Sequence, residues 1–133
     1  MAGLCLIPPA IAQPCPGTTT PEVEACKSLR LGSSEDVLKR YVSAAVTRAK
    51  REGGDKTLQS FLASQAAWTN FRNQECNAVA LSWQPGSIAN TMALSCLDRL
   101  TVERTHEVWE NWLRYMDSTP ADLPEPSGSD VSR

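Results

Sequence analysis

Four cysteines, at positions 15, 26, 76 and 96, constrain the fold of this 133-residue chain more than any other feature. They are separated by 10, 49 and 19 residues, and the chain has one histidine, His106. A zinc site is usually built from short clusters of cysteine and histidine, so this spacing disfavours a metal. The spacing favours two disulfides, with three possible pairings, in a protein of an oxidising compartment.

The opening segment explains a fifth cysteine, Cys5. Residues 1–12 are uncharged and end in Ala10-Ile11-Ala12, a pattern typical of a signal-peptide cleavage site. We therefore expect residues 1–12 to be the end of a signal peptide, and the protein to be periplasmic or secreted. The residues before Cys5 match a lipoprotein signal poorly, so no lipid anchor is predicted. No stretch approaches the roughly 20 apolar residues of a membrane span.

Composition excludes two broad classes of protein. The chain is 41% hydrophobic and 21% charged, with a net charge of -2. It is therefore neither a disordered polyelectrolyte nor a basic nucleic-acid binder. Four tryptophans make up half of its eight aromatic residues. A few large anchors among many alanines suit packed helices.

The hydrophobic periodicity predicts an all-α fold, a small antiparallel bundle of three helices stapled by two disulfides. The first helix begins with Thr20 as N-cap and Pro21 as first helical residue, and runs to about residue 51, with a kink or break near Ser33. Gly53-Gly54 ends it and reverses the chain. The second helix ends at the turn 83–87, where proline and glycine stop it.

The third helix begins between residues 88 and 91 and runs towards Tyr115. The helical domain thus spans residues 13–116. Residues 117–133 hold three prolines and four acids with little apolar surface, so they predict a disordered acidic tail.

Three polar residues fall where the helical pattern predicts a core: Gln65, Arg72 and Arg104. A buried arginine without acceptors would cost several kcal/mol. We therefore predict that both arginines bind acceptors such as Asp36 or Glu75 and fix the register of the helices, and that these residues form a structural polar core.

No constellation of catalytic residues is apparent in the sequence. His106 has no serine, cysteine or aspartate partner at a catalytic spacing, and Gly53-Gly54 lacks the pattern of a phosphate-binding loop. The chain is predicted to be a non-enzyme without cofactor or metal. The candidate partner-binding site is the loop that contains Trp83, Gly86 and Ser87, because an exposed tryptophan on a rigid turn can enter a partner's cleft. The alternative is that Trp83 folds back onto the core.

Several of these residues recur in one sequence pattern. The pattern comprises Thr20 to Cys26, Asp36-x-Leu38-x-x-Tyr41, Gln65-x-Ala67-Trp68-x-x-Phe71-Arg72-x-x-x-Cys76, Gly86-Ser87 and Cys96-Leu97-x-x-Leu100-Thr101-x-x-Arg104. It resembles the LprI-like domain family of lysozyme inhibitors. The resemblance implies an exported, disulfide-bonded helical domain whose partner is lysozyme or another cell-wall hydrolase. The alternative function is a structural or scaffolding protein of the bacterial envelope.

The helix order also suggests a disulfide pairing. Cys76 lies near the end of the second helix and Cys96 near the start of the third, so an antiparallel pair brings them together. Cys15 then pairs with Cys26. The rival pairings join Cys26 to Cys76 or Cys96 across the bundle, because the first helix starts at the same end.

Overall fold

The computed structural model describes residues 15–127, and within that range it is helical without any strand. Helix α1 spans Thr20–Ser82 and helix α2 spans Ala89–Val108. A π-helical turn, Trp109–Leu113, continues α2, and a segment without regular secondary structure follows it. The predicted all-α class is therefore confirmed. Residues 1–12, predicted to be the end of a signal peptide, lie outside the described residues.

A capping box starts α1 one residue earlier than predicted. Thr19, not Thr20, is the N-cap: its hydroxyl accepts a hydrogen bond from the backbone N–H of Glu22 at 3.4 Å. The Glu22 carboxylate in turn accepts from the backbone N–H groups of Thr19 and Thr18, each at 3.0 Å. Backbone donors that would otherwise lack partners at a helix start are thereby satisfied.

Helix α1 doubles back on itself at Gly54. A straight helix would separate Glu35 and Arg72 by about 55 Å, at 1.5 Å per residue. Instead the Glu35 carboxylate lies 3.1 Å from the Arg72 guanidinium. Gly54 has φ 70° and ψ -168°, a conformation that only glycine adopts readily. Residues 20–53, the first arm, therefore run antiparallel to residues 55–82, the second arm.

The prediction of three separate helices is confirmed only in part. The reversal lies at the predicted glycine pair, but helical structure extends to both sides of Gly54 as one bent α1. The predicted break near Ser33 is wrong, since the first arm passes through it as regular helix. The neighbouring Ser34 donates a hydrogen bond at 2.5 Å to Asp98 of α2. Packing against α2 thus overrides the weak helix propensity of this stretch.

The main core lies between the two arms and the end of α2. The first arm contributes a stripe at helical spacing, Leu38, Tyr41, Ala45 and Ala49, all at most 6% exposed. The small alanines allow close approach of the opposing side chains. The other buried members of this cluster are Phe61, Val108 and Leu113.

Both disulfides join the predicted partners. Cys76 and Cys96 link the second arm to α2, with Cα atoms 5.5 Å apart, in a second buried cluster with Leu100. Cys15 and Cys26 link the lead-in to the first arm, with Cα atoms 5.6 Å apart. The preferred pairing is confirmed, and the rival pairings through Cys26 are excluded.

The predicted disordered tail is wrong for residues 117–127, which we call the strap. The strap folds back along the bundle, where the backbone N–H of Asp122 donates to the carbonyl of Leu113 at 2.9 Å. Leu123 packs against the main core, and Pro126 is buried. Residues 128–133 lie outside the described residues.

Candidate functional site

The loop between the helices forms a tight turn. The backbone N–H of Gly86 donates to the carbonyl of Trp83 at 2.8 Å, and that of Ala89 donates to Gly86 at 3.3 Å. A β-carbon on Gly86 would lie 2.7 Å from the Trp83 carbonyl oxygen. Only glycine therefore permits this close backbone approach.

The residues around this turn expose apolar side chains. Leu81, Trp83 and Ile88 are 57%, 44% and 41% exposed, and Ser87 is exposed beside them. We call residues 81–88 the tip loop; its sequence contains no charged residue. Trp83 is thus half-buried. This lies between the two predicted alternatives, a fully exposed partner-binding side chain and a side chain folded onto the core. Leu81 and Ile88 were not among the predicted site residues, although both flank the predicted turn.

Arg72 ties together all three parts of the bundle. From the second arm, its Nη1 donates to Glu35 of the first arm at 3.1 Å and to Thr101 of α2 at 3.0 Å. Thr101 is fully buried and donates onward to the carbonyl of Leu97 at 2.7 Å. This largely buried guanidinium, whose side chain is 12% exposed, therefore has the acceptors that its burial requires.

Arg104 joins α2 to the second arm. Its Nε donates to the Gln65 side-chain oxygen at 3.0 Å, and its Nη1 donates to Glu107 at 3.1 Å. The guanidinium carbons of Arg72 and Arg104 lie 5.3 and 5.9 Å from the centre of the Trp68 ring. Together these residues form one polar layer around Trp68, joined by charge-assisted hydrogen bonds and cation–π contacts.

The carboxylate that contacts Arg72 is Glu35, the residue before the predicted Asp36. Asp36 is exposed, and the acceptors for the two arginines are Glu35 and Glu107. The predicted alternative, Glu75, is exposed as well. Glu35 lies one helical turn before the buried Leu38, so the helical pattern places it on the same face of the first arm.

A groove of about 410 Å³ lies between the two arms next to this layer. Its polar lining includes Glu35, Arg72 and Gln65, which already bond to one another or to Arg104. These polar groups therefore already have partners within the protein.

The one histidine of the chain, His106, lies near the end of α2. His106 lies 3.2 Å from Glu125 of the strap. Within residues 15–127, no three histidine, cysteine or acidic side chains converge where they could hold a metal ion. Nor is any helix in this range long and apolar enough to cross a membrane.

Fold and site together define a small disulfide-linked helical domain with an uncharged apolar tip. Residues 13–108 match the family of lysozyme inhibitor LprI, and the chain belongs to this family. The predicted family is therefore confirmed. No curated protein and no solved structure matches the chain.

The residues that carry the family pattern lie mostly where the second arm meets α2. Cys76 and Cys96 are bonded, Arg72 contacts Thr101, and Gln65 contacts Arg104. The long pattern in the second arm and the pattern in α2 are thus two sides of one interface. Most of the pattern therefore specifies how the domain folds, whereas its Gly86-Ser87 pair lies in the tip loop.

Proposed function

We propose that the chain is an exported binding protein that inhibits lysozyme-type cell-wall hydrolases by inserting its tip loop into the enzyme's cleft. The observation that carries the proposal is the exposed, uncharged tip loop with Trp83 at its turn. Membership of the lysozyme inhibitor LprI family supports the choice of enzyme. Two disulfides are typical of exported proteins.

The physical basis is preorganisation. A loop that is already held in its bound shape loses little entropy on association, and a tryptophan supplies a large contact area with few rotatable bonds. The Gly86 turn holds the loop, and the Cys76–Cys96 bond joins the two helices that carry it. The net charge of -2 adds a weak attraction for a basic hydrolase.

A cell-wall turbidity assay tests this function. We expect the oxidised protein to slow lysis by lysozyme, and Trp83→Ala to weaken the inhibition constant by about 30-fold, the effect of losing a central aromatic contact. Ser87→Ala tests the polar edge of the same loop. The matched control is Phe71→Ala, because Phe71 is 54% exposed on the second arm, about 15 Å along the helix from Leu81. Undiminished lysis at excess protein, or equal losses for Trp83→Ala and Phe71→Ala, would contradict the proposal.

The second candidate function is a structural envelope protein without inhibitory activity. The polar layer around Trp68 favours it, since those conspicuous side chains are engaged within the fold. The melting temperature separates the candidates. If Trp83→Ala abolishes inhibition at an unchanged melting temperature, the loop binds a partner. A lowered melting temperature without any inhibition to lose assigns Trp83 to the core. In both cases we infer a protein that is not an enzyme.

A further inference from the structure

The strap lies between the first arm and α2 and is held through its main chain by aromatic side chains. The indole N–H of Trp109 donates to the carbonyl of Leu123 at 2.9 Å. The hydroxyl of Tyr41, a residue only 2% exposed, donates to the carbonyl of Pro124 at 2.6 Å. Two buried or half-buried aromatic donors thus contact consecutive carbonyls of one segment.

The sequence of the strap suits this arrangement. In Leu123-Pro124-Glu125-Pro126, the two prolines fix φ near -65° and favour an extended backbone with little conformational entropy left to lose. Leu123 packs against the main core and Pro126 is buried. Aromatic side chains that line a groove and receive a proline-rich segment are a recurring mode of peptide recognition.

Charge adds a second element of recognition. Asp122 lies 3.9 Å from the guanidinium of Arg48 and accepts a hydrogen bond from Tyr115 at 3.0 Å. Glu125 lies 3.2 Å from His106. Asp122 and Glu125 therefore face donor groups along both edges of the groove, a match that selects an acidic peptide.

The groove and its occupant differ in their relation to the family. Tyr41, Arg48 and His106 belong to the region that matches the family, residues 13–108, and Trp109 directly follows it. The strap lies beyond that region. The groove is thus built largely by the shared domain, whereas the peptide that fills it is an extension of this chain.

We propose that the groove between the first arm and α2 is a binding site for an extended, acidic, proline-rich peptide of the form Leu-Pro-Glu-Pro on a partner protein. Residues 123–126 occupy the site in cis and compete with that partner. A tethered competitor acts at an effective concentration in the millimolar range. A partner peptide therefore binds weakly to the closed chain and tightly once the strap has been displaced.

The experiment uses the full chain with Leu123→Asp, which places a charge against the apolar core and displaces the strap. The probe is a fluorescein-labelled peptide of residues 120–127, and its binding is measured by fluorescence anisotropy. We expect the Leu123→Asp chain to bind at least about tenfold more tightly than the unsubstituted chain, because the tethered competitor is gone. Adding Trp109→Phe should weaken binding by about fivefold, since one hydrogen bond is lost. A peptide of the same composition in scrambled order is the control.

Three results would overturn the proposal. The first is equal affinity of the Leu123→Asp chain and the unsubstituted chain, and the second is equal binding of the scrambled peptide. The third is dimerisation of the unsubstituted chain by exchange of straps, because the groove would then serve a second copy rather than a partner.

A second measurement applies if circular dichroism shows that the Leu123→Asp chain does not fold. The unsubstituted chain is mixed with millimolar unlabelled peptide, and saturation transfer to its proline protons is recorded by NMR. Transfer to the peptide but not to its scrambled form supports the site. No transfer rejects it.

Discussion

Breaking the Cys76–Cys96 bond should cost most of the stabilisation that loop closure predicts. The two residues are 20 apart in sequence, so the chain-entropy relation gives about 3.3 kcal/mol at 25 °C. Both cysteines are at most 6% exposed, and each lies inside a helix. The folded state therefore gains almost no conformational entropy when the bond is absent. The whole entropy gain of the unfolded chain then appears as a loss of stability.

The Cys15–Cys26 bond provides the matched comparison. Its separation of 11 gives about 2.8 kcal/mol by the same relation. Cys15, however, precedes α1 and contributes to neither buried cluster. Without the bond, residues 15–19 gain freedom in the folded state as well, and this gain offsets part of the entropy gained on unfolding. We therefore expect a cost below about half of the calculated value.

Urea denaturation followed by circular dichroism measures both costs. The proteins to compare are the unsubstituted chain, Cys76→Ala/Cys96→Ala and Cys15→Ala/Cys26→Ala. The first pair should lower the free energy of unfolding by about 3 kcal/mol or slightly more, because two packed sulfur atoms are also removed. The denaturant slope should rise as the unfolded chain expands. A larger loss for the Cys15/Cys26 pair than for the Cys76/Cys96 pair would refute the reasoning.

The remaining predictions concern single positions. Thermal unfolding should show Gly54→Ala destabilising by about 1–3 kcal/mol, because alanine tolerates φ 70° and ψ -168° poorly. Gly32→Ala should stabilise by up to about 1 kcal/mol, since a β-carbon there meets no atom within 4 Å; a reversed sign at either glycine contradicts the account. Hydrogen bonds from the backbone N–H groups of Thr19 and Thr18 lower the pKa of Glu22 below its ordinary value. The contribution of Glu22 to folding stability is therefore present above that ordinary pKa and is lost as pH falls through the folded-state pKa. Glu22→Gln should lower the melting temperature at neutral pH, and the melting temperatures of the two proteins should converge in strong acid. In urea denaturation, Arg72→Met should lower the free energy of unfolding by about 2 kcal/mol. Glu35→Gln should lower it by less than about 1 kcal/mol, because the Glu35 side chain is 40% exposed. Strictly additive losses in the double variant would show that the two residues are not coupled.

The parts of the fold that follow from local pattern could be predicted from the sequence. Periodicity and the Gly53-Gly54 pair give two antiparallel arms, and a second reversal at the proline–glycine turn, residues 83–87, brings Cys76 to Cys96. The same local reasoning fails near Ser33, where poor helix formers suggest a break. The neighbouring Ser34 bonds to Asp98, 64 residues away, and no local pattern contains that contact. Tertiary context outweighs a propensity difference of a few tenths of a kcal/mol per residue.

The strap shows the same limit more strongly. Proline and acidic residues usually indicate disorder because they bury little apolar area. Here two side chains reverse that outcome: Tyr41, which is 83 residues from the carbonyl it binds, and Trp109. Composition alone cannot reveal that a groove of matching shape and charge exists elsewhere in the chain.

Helical phase explains why the sequence pattern did not identify Glu35 as the carboxylate partner of Arg72. Successive residues of a helix point about 100° apart, so Asp36 and Glu35 differ greatly in direction although they are neighbours. Glu35 shares the face of Leu38 and reaches Arg72, whereas Asp36 is exposed. The arginines and the glutamine of the polar core could be predicted from the sequence. Their carboxylate partner, Glu35, could be identified only once the register between the two arms was known.

The two proposed surfaces are far enough apart to fail independently. The described strap faces the first arm from Arg48, which lies near Asp122, to Ser33, which lines a small cavity together with Pro126. Within this stretch, Glu35 faces Arg72 of the second arm. In the same antiparallel register, the tip loop begins opposite residue 26 of the first arm, at least one full turn beyond the strap. Leu123→Asp should therefore change peptide binding and leave lysozyme inhibition intact, and Trp83→Ala should do the reverse. A substitution that abolished both activities would instead indicate that the bundle as a whole had loosened, and the melting temperature would have to fall with it.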